Sequence, residues 1–196
     1  NIHQHLDLIA GLPYEDIESF ARSFDDVYRL KPHQLQLGFL KVLKGSYMEE
    51  MCETYGLVYK SAPPYEVLYT KWLSYEDVLK LKGMEEMVEV YYNSRQFERT
   101  IEQMEKKYSS AFQMYEELWD YYKSRGLHTL QHKRSARYDI LLGFIGEKWE
   151  QERECFREFL VYDYYLRENA KNRPEFAGEN ALSKEQARGF YETESK

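Results

Sequence analysis

Cysteine is nearly missing from this chain: Cys52 and Cys155 are the only two in 196 residues, far apart in sequence. That excludes a disulfide framework and matches no cysteine metal spacing, and a reducing cytoplasm is the simplest setting. Long apolar runs are missing too. No stretch approaches the roughly 18 residues of a spanning helix, and no charged-then-apolar leader is visible, so no membrane role is expected. Positive charge is in deficit, with 27 basic against 34 acidic residues and a net charge of −7. A general electrostatic attraction to nucleic acid or to an anionic membrane is therefore not expected. What is present is a globular composition, 43% hydrophobic and 31% charged, long enough for one domain or two small ones. The 19 tyrosines are the unusual feature. Their apolar bodies and polar tips suit half-buried helix faces and interfaces, so surface that packs against something else is expected.

The pattern predicts a mainly α chain with a short α/β start. Residues 2–10 read as a strand, with Pro13 and Glu15-Asp16 favouring a helix start. Ile17, Phe20, Ala21, Phe24, Val27 and Tyr28 then recur at helical spacing, and Lys31-Pro32 stops that helix. Residues 34–43 resume an extended apolar pattern, closed by Lys44-Gly45-Ser46. Two strands joined by an amphipathic helix imply a parallel βαβ unit over residues 1–45. Residues 46–73 read as an irregular connection with a short helix over 47–55 and a turn at Ala62-Pro63-Pro64. Residues 74–172 read as a helical domain. Ser74 and Asp77 resemble a capping box opening a helix through about Tyr92. A second stripe runs unbroken from Ile101 to Tyr122 with Trp119 in its core, and Gly126 stands at its C-cap. A third runs from Tyr138 to Leu160, where Gly143 and Gly146 mark a bend or a close helix contact. Residues 173–196 read as a polar, peripheral tail with one short helix after Ser183.

The opening stretch carries the chemistry worth weighing. His3, His5, Asp7 and Ile9 fall at period two, on one face of a strand. A His-x-His strand suits a divalent-metal hydrolase, but such a site needs further ligands from later strands, and few are offered. His128 and His132 have the spacing of one helix face without a His-Glu-x-x-His pattern around them. No metal site is expected. Polar residues on the open face of a strand are the plain alternative.

The segment "HLDLIAGLPYEDIESF" closely resembles a strand late in the barrel of radical S-adenosylmethionine enzymes, which reads Asp-x-Ile-x-Gly-x-Pro before an acidic helix start. Asp7, Ile9, Gly11, Pro13 and Glu15 occupy those places, while Tyr14 stands where the family more often has glycine. "LKPHQLQLGFLKVLKGS" resembles the next strand, and "YEVLYTKWLSYEDVLKLK" the stretch after the barrel in cobalamin-binding members. These are iron–sulfur oxidoreductases related to anaerobic magnesium-protoporphyrin IX monomethyl ester cyclase. The region past Ser74 looks like the uncharacterised C-terminal helical domain of some of them. The resemblance implies that Ile9 and Gly11 border the S-adenosylmethionine adenine, with His5 and Asp7 facing the same lumen. An apolar side chain covers a flat ring, and glycine admits close backbone approach. It implies S-adenosylmethionine, a [4Fe–4S] cluster and cobalamin as cofactors, acting on an unknown small-molecule substrate. The Cys-x-x-x-Cys-x-x-Cys cluster motif and the Asp-x-His-x-x-Gly cobalamin signature are both missing from this sequence. The expectation is therefore a C-terminal fragment, inactive alone, whose partner is the preceding part of the same protein. The competing reading is a non-catalytic helical interaction module.

Smaller candidates have plainer readings. Lys41 and Lys44 flank the end of the second strand and suit a carboxylate, or are solvated lysines; Gln34 and Gln36 share a face. Met84, Met87 and Met104 read as core, Lys133-Arg134 with Arg137 as a solvated helix start, and the two cysteines as buried or inert thiols. A first strand without a preceding neighbour leaves an open edge, so a homo-oligomer through residues 1–45 is expected.

Overall fold

The structure, a computed structural model, describes residues 3–167 and 173–178. Two compact units divide the chain, Asn1–Gln131 and His132–Lys196. The fold is mainly helical with a short sheet start, as the pattern predicts. The expected helix after Ser183 lies outside the described residues.

The first unit opens with β1 (His5–Ala10), α1 (Ile17–Arg29) and β2 (Gln34–Phe39). The two strands pair in parallel, His5 with Gln34 through Ala10 with Phe39. The helix begins later than Pro13 suggests. Asp16 is the N-cap, accepting from the Ser19 N–H while the Ser19 hydroxyl accepts from the Asp16 N–H. That reciprocal pairing satisfies two groups a helix start otherwise leaves unmet. Between them Gly11 has φ +88°, and Tyr14 holds φ +68°, the left-handed region that glycine favours. The turn is thus kept although a tyrosine stands in it.

After β2 come α2 (Tyr47–Glu50), α3 (Cys52–Tyr55) and a small antiparallel ribbon of β3 (Val58–Tyr59) and β4 (Val67–Tyr69). The expected capping box is present: Ser74 and Asp77 open α4 (Tyr75–Val88), which continues as a π-helical turn, Glu89–Asn93. The long stripe from Ile101 to Tyr122 is two helices, α5 (Glu98–Glu105) and α6 (Ala111–Ser124). Ser110 is the reason for the break, since its side chain accepts from the Gln113 N–H and starts a new helix. Gly126 follows α6 with φ +65°.

The core lies where α6 packs against α1 and α4, α1 against β1 and α4 against β2. Phe20, Phe24, Leu35, Leu37, Leu81, Met84, Met87, Met104, Tyr115 and Leu118 are all buried. Each large apolar side chain contributes about 1.5–3 kcal/mol by leaving water. Trp119 is half-buried, and its ring lies over Gly83: a Cβ there would come within 2.0 Å of the indole. Some of the tyrosines are core residues. Tyr91 and Tyr122 pair hydroxyls at 2.7 Å inside the core, as do Tyr28 and Tyr115 at 3.1 Å. Paired hydroxyls let tyrosine serve as core.

The second unit contains α7 (Arg134–Lys148) and α8 (Arg153–Arg167), separated by Trp149 and a 3₁₀ turn, Glu150–Glu152. Lys133 immediately precedes α7, so the basic group marks a helix start. The helix continues unbroken through Gly143 and Gly146, and ends at Trp149 instead. Gly146 serves close contact: its Cβ would lie 2.9 Å from the Arg153 side chain. Phe176 of the short turn Glu175–Ala177 stacks on Tyr138 at 5.2 Å.

Candidate functional site

The strand pair has one covered and one open face. Leu6, Leu8 and Ala10 with Leu35, Leu37 and Phe39 turn inward; His5, Asp7 and Ile9 with Gln34, Gln36 and Gly38 turn outward. His5 Nε2 lies 3.1 Å from Asp7 Oδ1. Ile9 is 47% exposed, a large fraction for an apolar strand residue. Three of the residues singled out from sequence, His5, Asp7 and Ile9, therefore share one accessible strip with two glutamine side chains. Gly11 does not join them. It is buried, and a Cβ there would lie 2.7 Å from Val67 Cγ1, so its missing side chain makes room for β4.

The two outer edges of this sheet differ. Along β2 the outward groups of Leu35 meet a partner from later in the chain, and Leu37 and Phe39 beside it are buried. The Asn93 side-chain amide accepts from the Leu35 N–H at 3.0 Å and donates to the Leu35 C=O at 2.9 Å. It thus imitates a neighbouring strand. Tyr92 Oη donates to the Pro32 C=O, and Arg95 donates to the carbonyls of Pro32 and His33. Past the end of β1, on the side of β2 that faces it, the Leu40 N–H donates to the Ala10 C=O, Val67 N–H donates to the Leu40 C=O and Val42 N–H to the Tyr65 C=O. Along β1, the N–H and C=O of His5, Asp7 and Ile9 point away from β2. Among the described residues nothing pairs with them.

The sequence reading missed Tyr92, Asn93 and Arg95. The π-helical turn presents Tyr92 and Asn93, with Arg95 just beyond it, and no spacing signal announces such a turn. Glu66 was also unforeseen. Its Oε2 accepts from Lys82 at 2.7 Å and Lys60 at 3.2 Å, while the Lys82 ammonium sits 4.0 Å from the centre of the Phe39 ring. Burial pushes the Glu66 carboxyl up, but the two lysine hydrogen bonds outweigh it and the net shift is downward.

The other candidates spread out. Lys41 is exposed, its backbone bridged to Glu66, and Lys44 Nζ lies 5.8 Å from the centre of the Tyr65 ring. Tyr14 is 73% exposed, yet its ring touches Trp72 at 4.6 Å and Tyr55 at 5.8 Å. His128 sits in the turn Leu127–Thr129 against Trp119, and His132 precedes α7, so they share no helix face. Cys52 is half-buried, its thiol pushed up by burial and then by Glu49, whereas Cys155 is exposed rather than buried. Among the described residues no group of three or more His, Cys, Asp or Glu is placed to hold a metal. None of the described helices is long and apolar enough to cross a membrane. A cleft of about 280 Å³ beside α5 is lined by Lys31, Arg95, Arg99 and their carboxylates. These cations are matched there by Glu105, Glu98 and Glu102 respectively, which leaves no excess charge for an ionic ligand.

Comparison with known proteins adds one finding. No curated protein matches the chain. Residues 53–196, from α3 to the end, match the family model described as a protein of unknown function, DUF4080. Tyr92, Asn93 and Arg95, which meet the outer side of β2 and its approach, fall within the match; the strip of His5, Asp7 and Ile9 falls before it. The chain belongs to the DUF4080 family.

Proposed function

We propose that this chain is the C-terminal part of a radical S-adenosylmethionine iron–sulfur oxidoreductase that also uses cobalamin. The observation that carries the proposal is the parallel β1–α1–β2 unit, with one polar open face and one open edge on the β1 side. A strand of a larger parallel sheet has that form, and ligands of parallel sheets gather at the C-terminal ends of the strands. The order of elements also supports it, with a barrel-like end followed by a helical domain that belongs to a family of unknown function.

The residues present do not fit the iron–sulfur cluster, since two separated cysteines cannot supply three thiolates, so no step is assigned to it. The role left to this chain is binding. Ile9 offers apolar cover to a flat ring, His5 and Asp7 offer a donor–acceptor pair, and Gln34 and Gln36 offer amides on the same strip. Gly11 contributes through the turn, where its contact is Val67.

The test is the coding sequence upstream of Asn1. A Cys-x-x-x-Cys-x-x-Cys motif ending a strand is expected there, and the longer protein, reconstituted with iron and sulfide, should release 5′-deoxyadenosine from S-adenosylmethionine. The 196-residue chain alone should give neither cluster absorbance nor 5′-deoxyadenosine. A stop codon or an unrelated domain upstream would end the proposal.

A further inference from the structure

We infer that Lys41, Lys60 and Lys82 form a binding site for a phosphoryl group just past the carboxyl end of β2, beside α4. The inference goes beyond the cofactor reading and needs none of it, since the residues and contacts it uses all lie between Phe39 and Glu85.

Three observations carry it. The first is convergence. The chain just past β2 bridges antiparallel to the chain before β4 at Lys41 and Glu66, and opposite residues of such a pair turn their side chains to one face. Lys60 joins on the other side of Glu66, its N–H donating to the Glu66 C=O. Lys82 arrives from α4. Three lysines from three separate segments thus gather about one carboxylate.

The second is charge. Lys82 Nζ at 2.7 Å and Lys60 Nζ at 3.2 Å meet the same oxygen, Glu66 Oε2. One ammonium would complete a structural ion pair; the second adds repulsion between like charges held close together. Lys41 is exposed, and among the described residues no ion pair holds it. Glu85, one turn further along α4, also lies near Lys82, so three cations face two carboxylates. In a chain of net charge −7, that local excess of positive charge suits an anion.

The third is the form of the donors. The Lys82 ammonium stands 4.0 Å from the centre of the buried Phe39 ring, which together with Glu66 fixes its place before any ligand arrives. An ammonium carries three N–H donors, and Glu66 takes one each from Lys60 and Lys82, so further donors remain. The cations are all lysine. A planar carboxylate is held best by the arginine fork, whereas compact charges arriving from several directions suit a tetrahedral phosphoryl group. Lys41 also lies two residues past β2, at the end of the parallel strands where ligands gather.

The test is a titration of the full chain with inorganic phosphate, and separately with glycerol 3-phosphate, at constant ionic strength, following the lysine side-chain resonances by NMR. The Lys41, Lys60 and Lys82 signals should shift together and saturate with a dissociation constant on the order of millimolar, while Lys31, paired with Glu105, should not respond. Lys41→Gln and Lys60→Gln should each weaken binding about fivefold, and Lys82→Gln at least as much. Because Lys82 also covers Phe39, the two exposed variants keep the result decisive if that one fails to fold. Tighter binding of glycerol 3-phosphate supports the site with a phosphate ester as its ligand, and equal binding supports it with free phosphate. Absence of saturation at tens of millimolar phosphate would overturn the inference. So would equal shifts with acetate, or an affinity unchanged in both Lys41→Gln and Lys60→Gln.

Discussion

β1 and β2 are paired residue for residue, equal in length and similar in composition, yet they live differently. Every second residue of β2 is buried, and its outer edge and approach are met by Asn93, Tyr92 and Arg95. β1 has one ladder, an open edge and three exposed side chains on its outward face. The difference shows that a strand's stability is set by what the rest of the chain brings to it. β2 is stabilised by residues 58 to 63 positions later, in and just after a π-helical turn. β1 is stabilised mainly by β2.

The largest effect expected from breaking this comparison comes from side-chain truncation. Leu35→Ala should cost about 2–5 kcal/mol, as a fully buried leucine leaving a cavity. The same change at Ile9 should cost less than about 1 kcal/mol, since nearly half of that side chain already meets water. Urea titration of both variants measures the contrast, and similar losses would mean that β1 is as enclosed as β2.

Next comes the support beneath β2. Gly83→Ala places a methyl where the Trp119 indole lies, and overpacking of that kind costs about 1–3 kcal/mol. Trp119 fluorescence should shift with it, because the ring must move. An unshifted spectrum with unchanged stability would show that α4 and α6 separate easily.

Asn93→Ala should cost about 1–3 kcal/mol by leaving the Leu35 N–H and C=O without partners. The Leu35 amide should then exchange faster while amides on the β1–β2 ladder hold. Uniform exchange would mean that Asn93 acts on the whole fold rather than on this edge.

The smallest effect is a matter of pH. The Glu66 carboxyl is held below its ordinary range by Lys82 and Lys60, so the stability it adds is present above the unfolded glutamate value of about 4.3 and is lost as pH falls through the lower folded value. Glu66→Gln should remove that acid-side dependence while changing stability near neutrality by about 1 kcal/mol or less, because surface-near pairs contribute little. A mutant acid limb identical to the wild type would remove Glu66 from the account.

Much of the fold was legible because it rests on local rules. Helical spacing located α1, α4, α6 and α7, the Ser74–Asp77 box opened α4, and the period-two run placed His5, Asp7 and Ile9 on one face. Where local signals competed, the reading slipped. The stripe from Ile101 to Tyr122 keeps its period across Ser109-Ser110, and nothing in periodicity weighs a serine cap against continuation. Gly143 and Gly146 looked like weak points, but the surrounding Leu142, Phe144 and Ile145 are buried and α7 continues through both.

By itself the sequence determined the first two strands, their parallel pairing, the main helical stripes and the face on which His5, Asp7 and Ile9 stand, since these follow from backbone periods of two and 3.6 residues; the β3–β4 ribbon fell in what reads as an irregular connection. Only the tertiary structure decided which edge is closed and which side chains close it. Asn93 meets Leu35, Lys82 meets Phe39 and Gly11 meets Val67 across long stretches of chain, through contacts that depend on packing and that no neighbouring residues encode.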